Sequence, residues 1–417
     1  MMTACSEPTE IIFTNGPDDS GTLQQLIDQF NEEHAGEIHV TWQEGARLSN
    51  EYYHELEKAF ESGTSDIDVL SADVVWTSTF AQRGWVEDVS DQFFANYQAE
   101  AFVPAALNSV SYQNDVWGVP WYTDLGILYY RKDLLAQHGY SYPPTTLTDL
   151  STMAKTIQDA TFTKHGYVFQ GGNYEGGVAN ACEFIWNAGG QILFGDLSID
   201  GEEDQAPILT INSQEAIDGI RAAQQLIDDG VTPADIYTYK EAESLRDFKN
   251  GDAIFMRSWP GAYRQVLAKD SPIKAEALGV AALPVRDRDK QSYSCLGGWN
   301  LMVNATATEE EQAAAWTFIQ YLTSEAQQRT LALSGGHLPA LRSLYQDEAL
   351  VADVPALGLA LQVMPNARLR PVTPHYMELA PDIAWAFSEA LQDNLSAVAA
   401  VESIEGLFQA ALVANRD

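Results

Sequence analysis

The feature that most constrains the fold is an alternation of short apolar runs and amphipathic segments over the first 75 residues. Residues 11–13 form a short apolar run, and the next segment places Leu23, Leu26, Ile27 and Phe30 at helical spacing. A second run at 38–43, a helical segment ended by Gly63 and a third run ending at Asp73 follow. This rhythm predicts an α/β fold with a mostly parallel sheet and helices on both faces.

Polar residues follow each of the three predicted strands. Residues 15–18, 43–47 and 73–76 come directly after them. Because ligands of parallel sheets bind at the carboxyl ends of the strands, we expect these three segments to meet at one edge and form part of a site.

A second α/β unit begins near residue 118, and its first predicted strand covers residues 125–130. A chain of 417 residues exceeds one ordinary core, and no linker rich in Pro, Ser and Gly divides it into serial domains. The sequence therefore predicts two lobes between which the chain crosses more than once, with a cleft at the crossing. We place 1–117 and 266–322 in the first lobe, and 118–265 and 323–417 in the second.

The charge balance limits the possible partners. The chain has 59 acidic against 23 basic residues, a formal net charge of −36. A field of this sign repels nucleic acid and anionic lipid, so a ligand should be neutral or cationic. Acids spread along the whole chain favour adaptation to high salt, with an ordinary acidic protein as the alternative.

The three cysteines have different contexts. Cys5 follows the small residues Thr3 and Ala4, and two interpretations remain open: the remnant of a bacterial lipoprotein signal, or a chance surface cysteine. In the first case Cys5 carries an acyl chain. Cys182 and Cys295 lack metal-ligand spacing and are predicted to be free core thiols, with a disulfide as the alternative.

Motif searches argue against cofactors and common catalytic centres. The chain contains no G-x-G-x-x-G before a helix, no phosphate-binding loop motif and no G-x-S-x-G nucleophile motif. It also has no H-E-x-x-H and no EF-hand loop, so we predict neither a cofactor nor a metal. Adjacent tyrosines can bind ferric iron, but Tyr129 and Tyr130 lie inside a predicted strand, which favours core packing.

Aromatic residues at loop positions give the main indication of a ligand. Packing is the alternative for each one, but as a set they suit carbohydrate, whose C–H face stacks on aromatic rings and whose hydroxyls hydrogen-bond to charged groups. The charged candidates are Arg47, Asp73, Asp124 and Arg370. The aromatic set is Trp76, Trp121, Tyr122, Tyr174, Trp259, Trp299 and Tyr376. A glycoside hydrolase using two of Asp73, Asp124 and Glu175 remains a rival interpretation.

The chain resembles the extracellular solute-binding proteins of family 1 that serve ATP-binding-cassette sugar importers, and within them the trehalose- and maltose-binding branch. The resemblance rests on segments spread over nearly the whole chain. They are "DIDVLSADVVWTSTFAQRGWVEDVSD", "DVWGVPWYTDLGILYYRKDLLAQHGYSYPPTTLTDL", "GYVFQGGNYEGGVANACEFIWNAGG", "FKNGDAIFMRSWPGAY", "LGGWNLMVN" and "RLRPVTPHY".

This resemblance implies a two-lobed periplasmic-binding-protein fold of type II that closes on its ligand by a hinge. It implies ligand-binding roles for Arg47, Asp73, Tyr122, Asp124, Tyr174, Glu175, Trp259, Gly298, Trp299 and Arg370. In these roles Trp259 stacks on a sugar ring, and alternation along the strand turns Trp121 away from Tyr122. The first loop, "NGPDDS", lacks the Glu expected in the trehalose branch, and Asp18 or Asp19 could replace it, which leaves the sugar open.

The implied function is that of a receptor, not an enzyme. We expect a monomer outside the cytoplasmic membrane, periplasmic or lipid-anchored, that delivers a disaccharide or short α-glucoside to the membrane permease subunits of an importer. The rivals are a glycoside hydrolase acting on a similar sugar, and a receptor of the same fold for another solute.

Overall fold

The structure, a computed structural model, describes residues 7–63, 65–161, 163–194 and 208–414. The strands are, in chain order, β1 (Thr9–Asn15), β2 (Ile38–Glu44), β3 (Val69–Asp73), β4 (Ser111–Tyr112), β5 (Asp115–Val116), β6 (Val119–Leu125), β7 (Ile127–Arg131), β8 (His165–Val168), β9 (Leu193–Phe194), β10 (Ile208–Leu209), β11 (Ala253–Ser258), β12 (Leu278–Ala281), β13 (Ser294–Val303), β14 (Leu338–Pro339) and β15 (Ala367–Arg368).

The helices are, in chain order, α1 (Thr22–Glu33), α2 (Ser49–Glu61), α3 (Thr77–Arg83), α4 (Ser90–Asn96), α5 (Pro104–Ser109), α6 (Lys132–Gln137), α7 (Leu147–Thr161), α8 (Glu175–Asn187), α9 (Gln214–Asp228), α10 (Glu241–Lys249), α11 (Ala262–Val266), α12 (Glu309–Leu322), α13 (Glu325–Gly335), α14 (Glu348–Asp353), α15 (Pro355–Val363), α16 (Tyr376–Leu391) and α17 (Ala397–Ala414).

The first large sheet has the strand order β14-β6-β13-β3-β1-β2, and β15 pairs with β13. The strands β1, β2 and β3 run parallel, as their alternation with α1 and α2 predicts. The long strand β13 runs antiparallel between β3 and β6. The predicted α/β architecture is therefore confirmed, with antiparallel strands completing a parallel half.

The second large sheet has the order β12-β7-β11-β8. Here β8 and β11 are parallel, while β7 is antiparallel to both β11 and β12. Helices α8, α9, α16 and α17 pack with one another in this half of the molecule. At the start of α9 the hydroxyl of Ser213 accepts a hydrogen bond from the Ala216 N–H and so caps the helix.

The predicted strand at residues 125–130 is wrong, because the chain changes sheets at Gly126. The strand β6 ends at Leu125 in the first sheet, and β7 begins at Ile127 in the second. A Cβ at Gly126 would lie 1.8 Å from the Glu183 carboxylate, so only glycine fits at this crossing. Asp124 consequently lies inside a strand of the first sheet, not ahead of a strand of the second.

Strand pairing differs from the predicted lobe boundaries at four elements. We placed β6, β14 and β15 in the second lobe, but all three pair in the first sheet. We placed β12 in the first lobe, but it pairs with β7 in the second sheet. Between β6 and β7 the chain passes from one sheet to the other across the single residue Gly126, which a boundary drawn between long sequence blocks does not follow. The division of the chain into lobes stays a prediction.

Cys182 and Cys295 are both buried and free in the structure, while Cys5 lies outside the described residues. No helix in the described ranges combines the length and apolar character that crossing a membrane requires.

Candidate functional site

Three charged residues from distant parts of the chain meet in a buried group at the carboxyl end of β3. Arg370 donates from Nη2 to Oδ1 of Asp73, the last residue of β3, over 2.9 Å. The same guanidinium donates to the carboxylate of Glu175, the first residue of α8. Ser49 at the start of α2 also donates to Asp73, over 2.7 Å. The group therefore connects the first sheet to a helix that packs beside the second.

Glu175 is held by a second donor besides Arg370. The hydroxyl of Tyr376, at the start of α16, donates to the same carboxylate oxygen. Burial raises the pKa of Glu175, against the opposing effect of Arg370. The Nε atom of Arg370 is buried and donates to no described residue, which leaves one donor of this group unused.

Tyr122 and Asp124 lie two residues apart on β6, so both side chains project from the same face of the first sheet. Both are partly exposed, and neither side chain forms a hydrogen bond within the described part of the chain. Burial, together with the charge of nearby Asp73, raises the pKa of Asp124 to about 8, against the opposing effect of Arg257. A carboxyl and a phenol without protein partners are available to a ligand.

The indole of Trp259 lies beside Asp124. A Cβ built on Gly297 would lie 3.0 Å from the indole and 3.2 Å from Cβ of Asp124, and Gly297 pairs with Asp124 across β13 and β6. The guanidinium of Arg257 lies 3.9 Å from the ring centroid of Trp259. The indole Nε1 donates to Glu241 over 3.3 Å. The ring is thus fixed by a cation against one face and a carboxylate at its edge.

Arg257 belongs to a buried ion pair beneath this ring. Its Nε and Nη2 atoms donate to the two oxygens of Glu183, each over 2.7 Å. Glu183 also accepts from the Cys295 N–H over 3.0 Å, and Gln170 accepts from Arg257 over 3.2 Å. Because both charges are paired and hydrogen-bonded, the pair gives Trp259 a rigid support.

Trp299 lies between Asp73 and Tyr122, because β13 pairs it with both residues. Its ring contacts Trp76 edge to face at 5.4 Å between centroids. Gly298 has φ of 125° and its Cβ would lie 2.4 Å from the Tyr122 carbonyl oxygen, so the tight approach of β13 to β6 needs a glycine here.

Arg47 is much more exposed than the buried group of Asp73, Glu175 and Arg370. It forms a two-pronged ion pair with Asp19, with both distances 2.8 Å, and its side chain is 61% exposed. The hydrogen bonds from Arg47 lower the pKa of Asp19. Asp18 accepts hydrogen bonds from Ser20 and from the Leu23 N–H at the start of α1. Both aspartates that could replace the missing glutamate are therefore already hydrogen-bonded to protein groups.

Several aromatic candidates are core residues. Trp76 and Trp121 are buried, and the Trp121 ring contacts Phe13. For both residues the structure shows packing, the stated alternative to a ligand contact. The ring centroids of Trp121 and Tyr122 lie 5.0 Å apart, beside an irregularity in the pairing of β6 with β13, so the predicted separation of these two rings by alternation is not observed. Tyr174 is also buried and donates to Glu241 over 2.6 Å. The predicted core packing of Tyr129 is confirmed, since it is buried and donates to the Trp259 carbonyl.

Sequence reasoning missed three residues of this region. Arg257 lies two positions before Trp259 in the segment "FKNGDAIFMRSWPGAY", and this proximity in sequence is a signal that could have identified it. His337 follows a Gly-Gly pair, and its ring contacts that of Tyr122 at 4.2 Å between centroids. Glu241 carries no sequence signal, because only the fold brings it to Tyr174 and Trp259.

Within the described ranges, no three His, Cys, Asp or Glu side chains are grouped in a way that could hold a metal ion.

Comparisons with known proteins agree with this architecture. A model of the bacterial extracellular solute-binding protein family matches residues 14–329. A probable ABC transporter-binding protein of Deinococcus radiodurans is 34% identical over 349 residues, which cover 82% of this chain and 79% of the relative. A maltotriose-binding protein of Pyrococcus abyssi is 24% identical over 82% of this chain and 68% of its own.

Among solved structures, maltose-bound MalE3 of T. maritima is 33% identical, with a TM-score of 0.88, over 96% of this chain and 99% of that one. The two-lobed fold is therefore confirmed. The matching family consists of solute-binding proteins, which confirms that the chain is not an enzyme. The chain belongs to the bacterial extracellular solute-binding protein family.

Proposed function

We propose that this protein is the extracytoplasmic receptor of an ABC-type sugar importer and binds a disaccharide or short α-glucoside between its lobes. The observation that carries the proposal is that two polar side chains without a protein hydrogen-bond partner lie next to the Trp259 ring, which we call the aromatic platform. Asp124 and Tyr122 have no hydrogen-bond partner in the described part of the chain, and the Trp259 ring lies beside Asp124. Sugar hydroxyls satisfy the first two groups and a sugar C–H face covers the third.

The charged group of Asp73, Arg370 and Glu175 supports binding by closure. Asp73 ends a strand of the first sheet, and Glu175 begins a helix of the other half. The unused Nε donor of Arg370 suits a sugar oxygen at the same place. A ligand that contacts both halves stabilises the closed form by the difference between its affinities for the closed and the open form. In this proposal Tyr174 and Glu175 do not touch the sugar. Tyr174 positions Glu241 and Glu175 positions Arg370, through the hydrogen bonds described above.

The sugar class is supported by relatives and by charge. MalE3 was solved with maltose, and the Pyrococcus protein is named for maltotriose. A net charge of −36 and the many carboxylates of the site suit a neutral saccharide better than an anionic one. Within this class, maltose and trehalose are our first candidates.

The remaining parts of the proposal concern oligomeric state, location and delivery, and family membership supports an extracytoplasmic location. We propose that the protein acts as a monomer outside the cytoplasmic membrane, with Cys5 as the lipid attachment point, and that it delivers sugar to the permease. Labelling with a radioactive fatty acid in a bacterial host, compared with Cys5→Ala, tests the attachment.

A panel of sugars measured by thermal shift and calorimetry tests the central proposal. We expect one of maltose, trehalose or maltotriose to raise the unfolding temperature and to bind at one site, while glucuronic acid does not. Prolonged incubation should leave the sugar intact. No shift with any saccharide would overturn the sugar assignment, and released glucose would favour the hydrolase rival.

A further inference from the structure

His337 lies in the short loop between α13 and β14. Gly336 before it has φ of 74° and ends α13, and Leu338 and Pro339 after it pair with Thr123 and Tyr122 of β6. The loop therefore turns the imidazole back over the strand that carries Asp124. Its ring contacts that of Tyr122 in a tilted arrangement, with centroids 4.2 Å apart and an interplanar angle of 39°.

The same loop meets the second half of the molecule. A Cβ on Gly336 would lie 3.4 Å from the Gly261 Cα and 3.5 Å from the Pro260 carbonyl oxygen. These two residues directly follow Trp259. His337 is therefore placed where a loop of the first sheet touches the loop that carries the aromatic platform.

The imidazole of His337 lacks a hydrogen-bond partner. Its Nδ1 atom is buried and unpaired, and its other ring nitrogen bonds to no described residue. Burial lowers the pKa of His337 to about 4, although Asp18 raises it. The ring is neutral at pH 7 and carries one donor and one acceptor, whereas buried polar groups in proteins are nearly always paired.

Resting on the proposed sugar function, we propose that His337 is an additional ligand contact that hydrogen-bonds a hydroxyl of the second sugar ring. His337 contacts Tyr122, which lies two residues before Asp124 on β6, and none of these three side chains hydrogen-bonds to a described residue. In this proposal Asp124 and Trp259 hold the first ring, and the ring pair of His337 and Tyr122 contacts the second. The site thereby selects a ligand longer than one ring.

The alternative is that His337 only packs against Tyr122. A packing residue affects every ligand of the site through Tyr122, whereas a second-ring contact affects disaccharides and leaves monosaccharides unchanged. Calorimetry of wild type, His337→Leu, His337→Gln and the matched His54→Gln with maltose, trehalose and glucose separates these roles. His54 is exposed on α2, so its replacement controls for loss of a histidine.

We expect His337→Leu to weaken the disaccharide that wild type binds by at least about tenfold, since a hydroxyl then faces an apolar group. Glucose affinity should change by less than about threefold, His337→Gln should retain part of the disaccharide affinity, and His54→Gln should match wild type. Equal losses for both sugar sizes, or unchanged affinity in His337→Leu, would overturn the inference. If wild type itself binds none of the three sugars, the proposed function fails first, which is a separate result.

Discussion

The guanidinium of Arg370 hydrogen-bonds to Asp73 over 2.9 Å, although 296 residues separate them along the chain. Asp73 ends a strand of the first sheet, and Arg370 simultaneously holds Glu175 of the other half. A single side chain thus joins the two parts of the molecule that the proposed closure on a ligand would bring together.

The first prediction concerns this bridge. Glu175→Gln removes one charge and keeps the shape, so Arg370 keeps only Asp73 as an ionic partner. We expect the free energy of unfolding to fall by about 1–3 kcal/mol and sugar affinity to fall with it. Glu378→Gln, at an exposed carboxylate of α16, should leave both values unchanged. Chemical denaturation measures the stability and calorimetry measures the affinity. Wild-type stability in Glu175→Gln would contradict the stabilising role of the Asp73, Arg370 and Glu175 group.

The second prediction concerns the aromatic platform. Trp259→Ala should weaken sugar binding by roughly 1–3 kcal/mol, because the stacking surface is lost. Trp385→Ala, at a tryptophan that is 42% exposed on α16, should have no effect. Tryptophan fluorescence titration compares the two variants, and an equal effect of both would contradict the assigned role of Trp259.

The third prediction concerns pH. The pKa of Asp124 is raised to about 8, so near pH 7 the group is mainly protonated in the free protein. Sugar hydroxyls that donate to its ionised form lower this pKa, so binding releases protons below pH 8 and affinity rises as pH approaches 8. Calorimetry at pH 7 in phosphate and in Tris should give different heats for wild type and equal heats for Asp124→Asn. Equal heats for wild type would show that no proton is released.

The same group affects folding. A carboxyl whose pKa is raised above its unfolded value of 3.8 stabilises the native state when protonated, and this contribution is lost as pH rises from about 4 to about 8. We expect Asp124→Asn to reduce the decrease in the free energy of unfolding over that range. Urea unfolding at pH 5 and pH 8 measures the difference, and parallel pH profiles for both proteins would contradict it.

The fourth prediction concerns salt. With a net charge of −36, repulsion among carboxylates should be screened by salt. We expect the unfolding temperature to rise between low and molar KCl, and to rise less in sucrose of equal osmolality. An unfolding temperature that does not rise in KCl would contradict the interpretation that the chain is adapted to high salt.

Much of the fold could be predicted from local patterns. The alternation before Asp73 predicts β1 to β3 with their helices, because each element buries its own apolar face. The sheet change at Gly126 could not be predicted, since its cause is the approach of Glu183 from a distant helix. The same limit explains why a run at 125–130 looked like one strand.

Site residues could be predicted where neighbouring residues in the sequence determine their position, and could not where tertiary contacts determine it. Asp124 and Tyr122 project from one face because strands alternate, a rule that sequence carries directly. Trp76 looked ligand-facing because it follows a strand end, but its ring packs among Tyr52, Phe80 and Trp299. Glu241 and His337 reach the site only through tertiary contacts, which leave no mark on the local sequence.

The most direct test of the central claim is calorimetry of maltose and trehalose with wild type and with Asp124→Ala. We predict one-site binding of at least one sugar to wild type and a loss of roughly 1–3 kcal/mol or more in Asp124→Ala, whose partner hydroxyls become unpaired. Failure of wild type to bind either sugar, or equal affinity in the two proteins, would contradict the account.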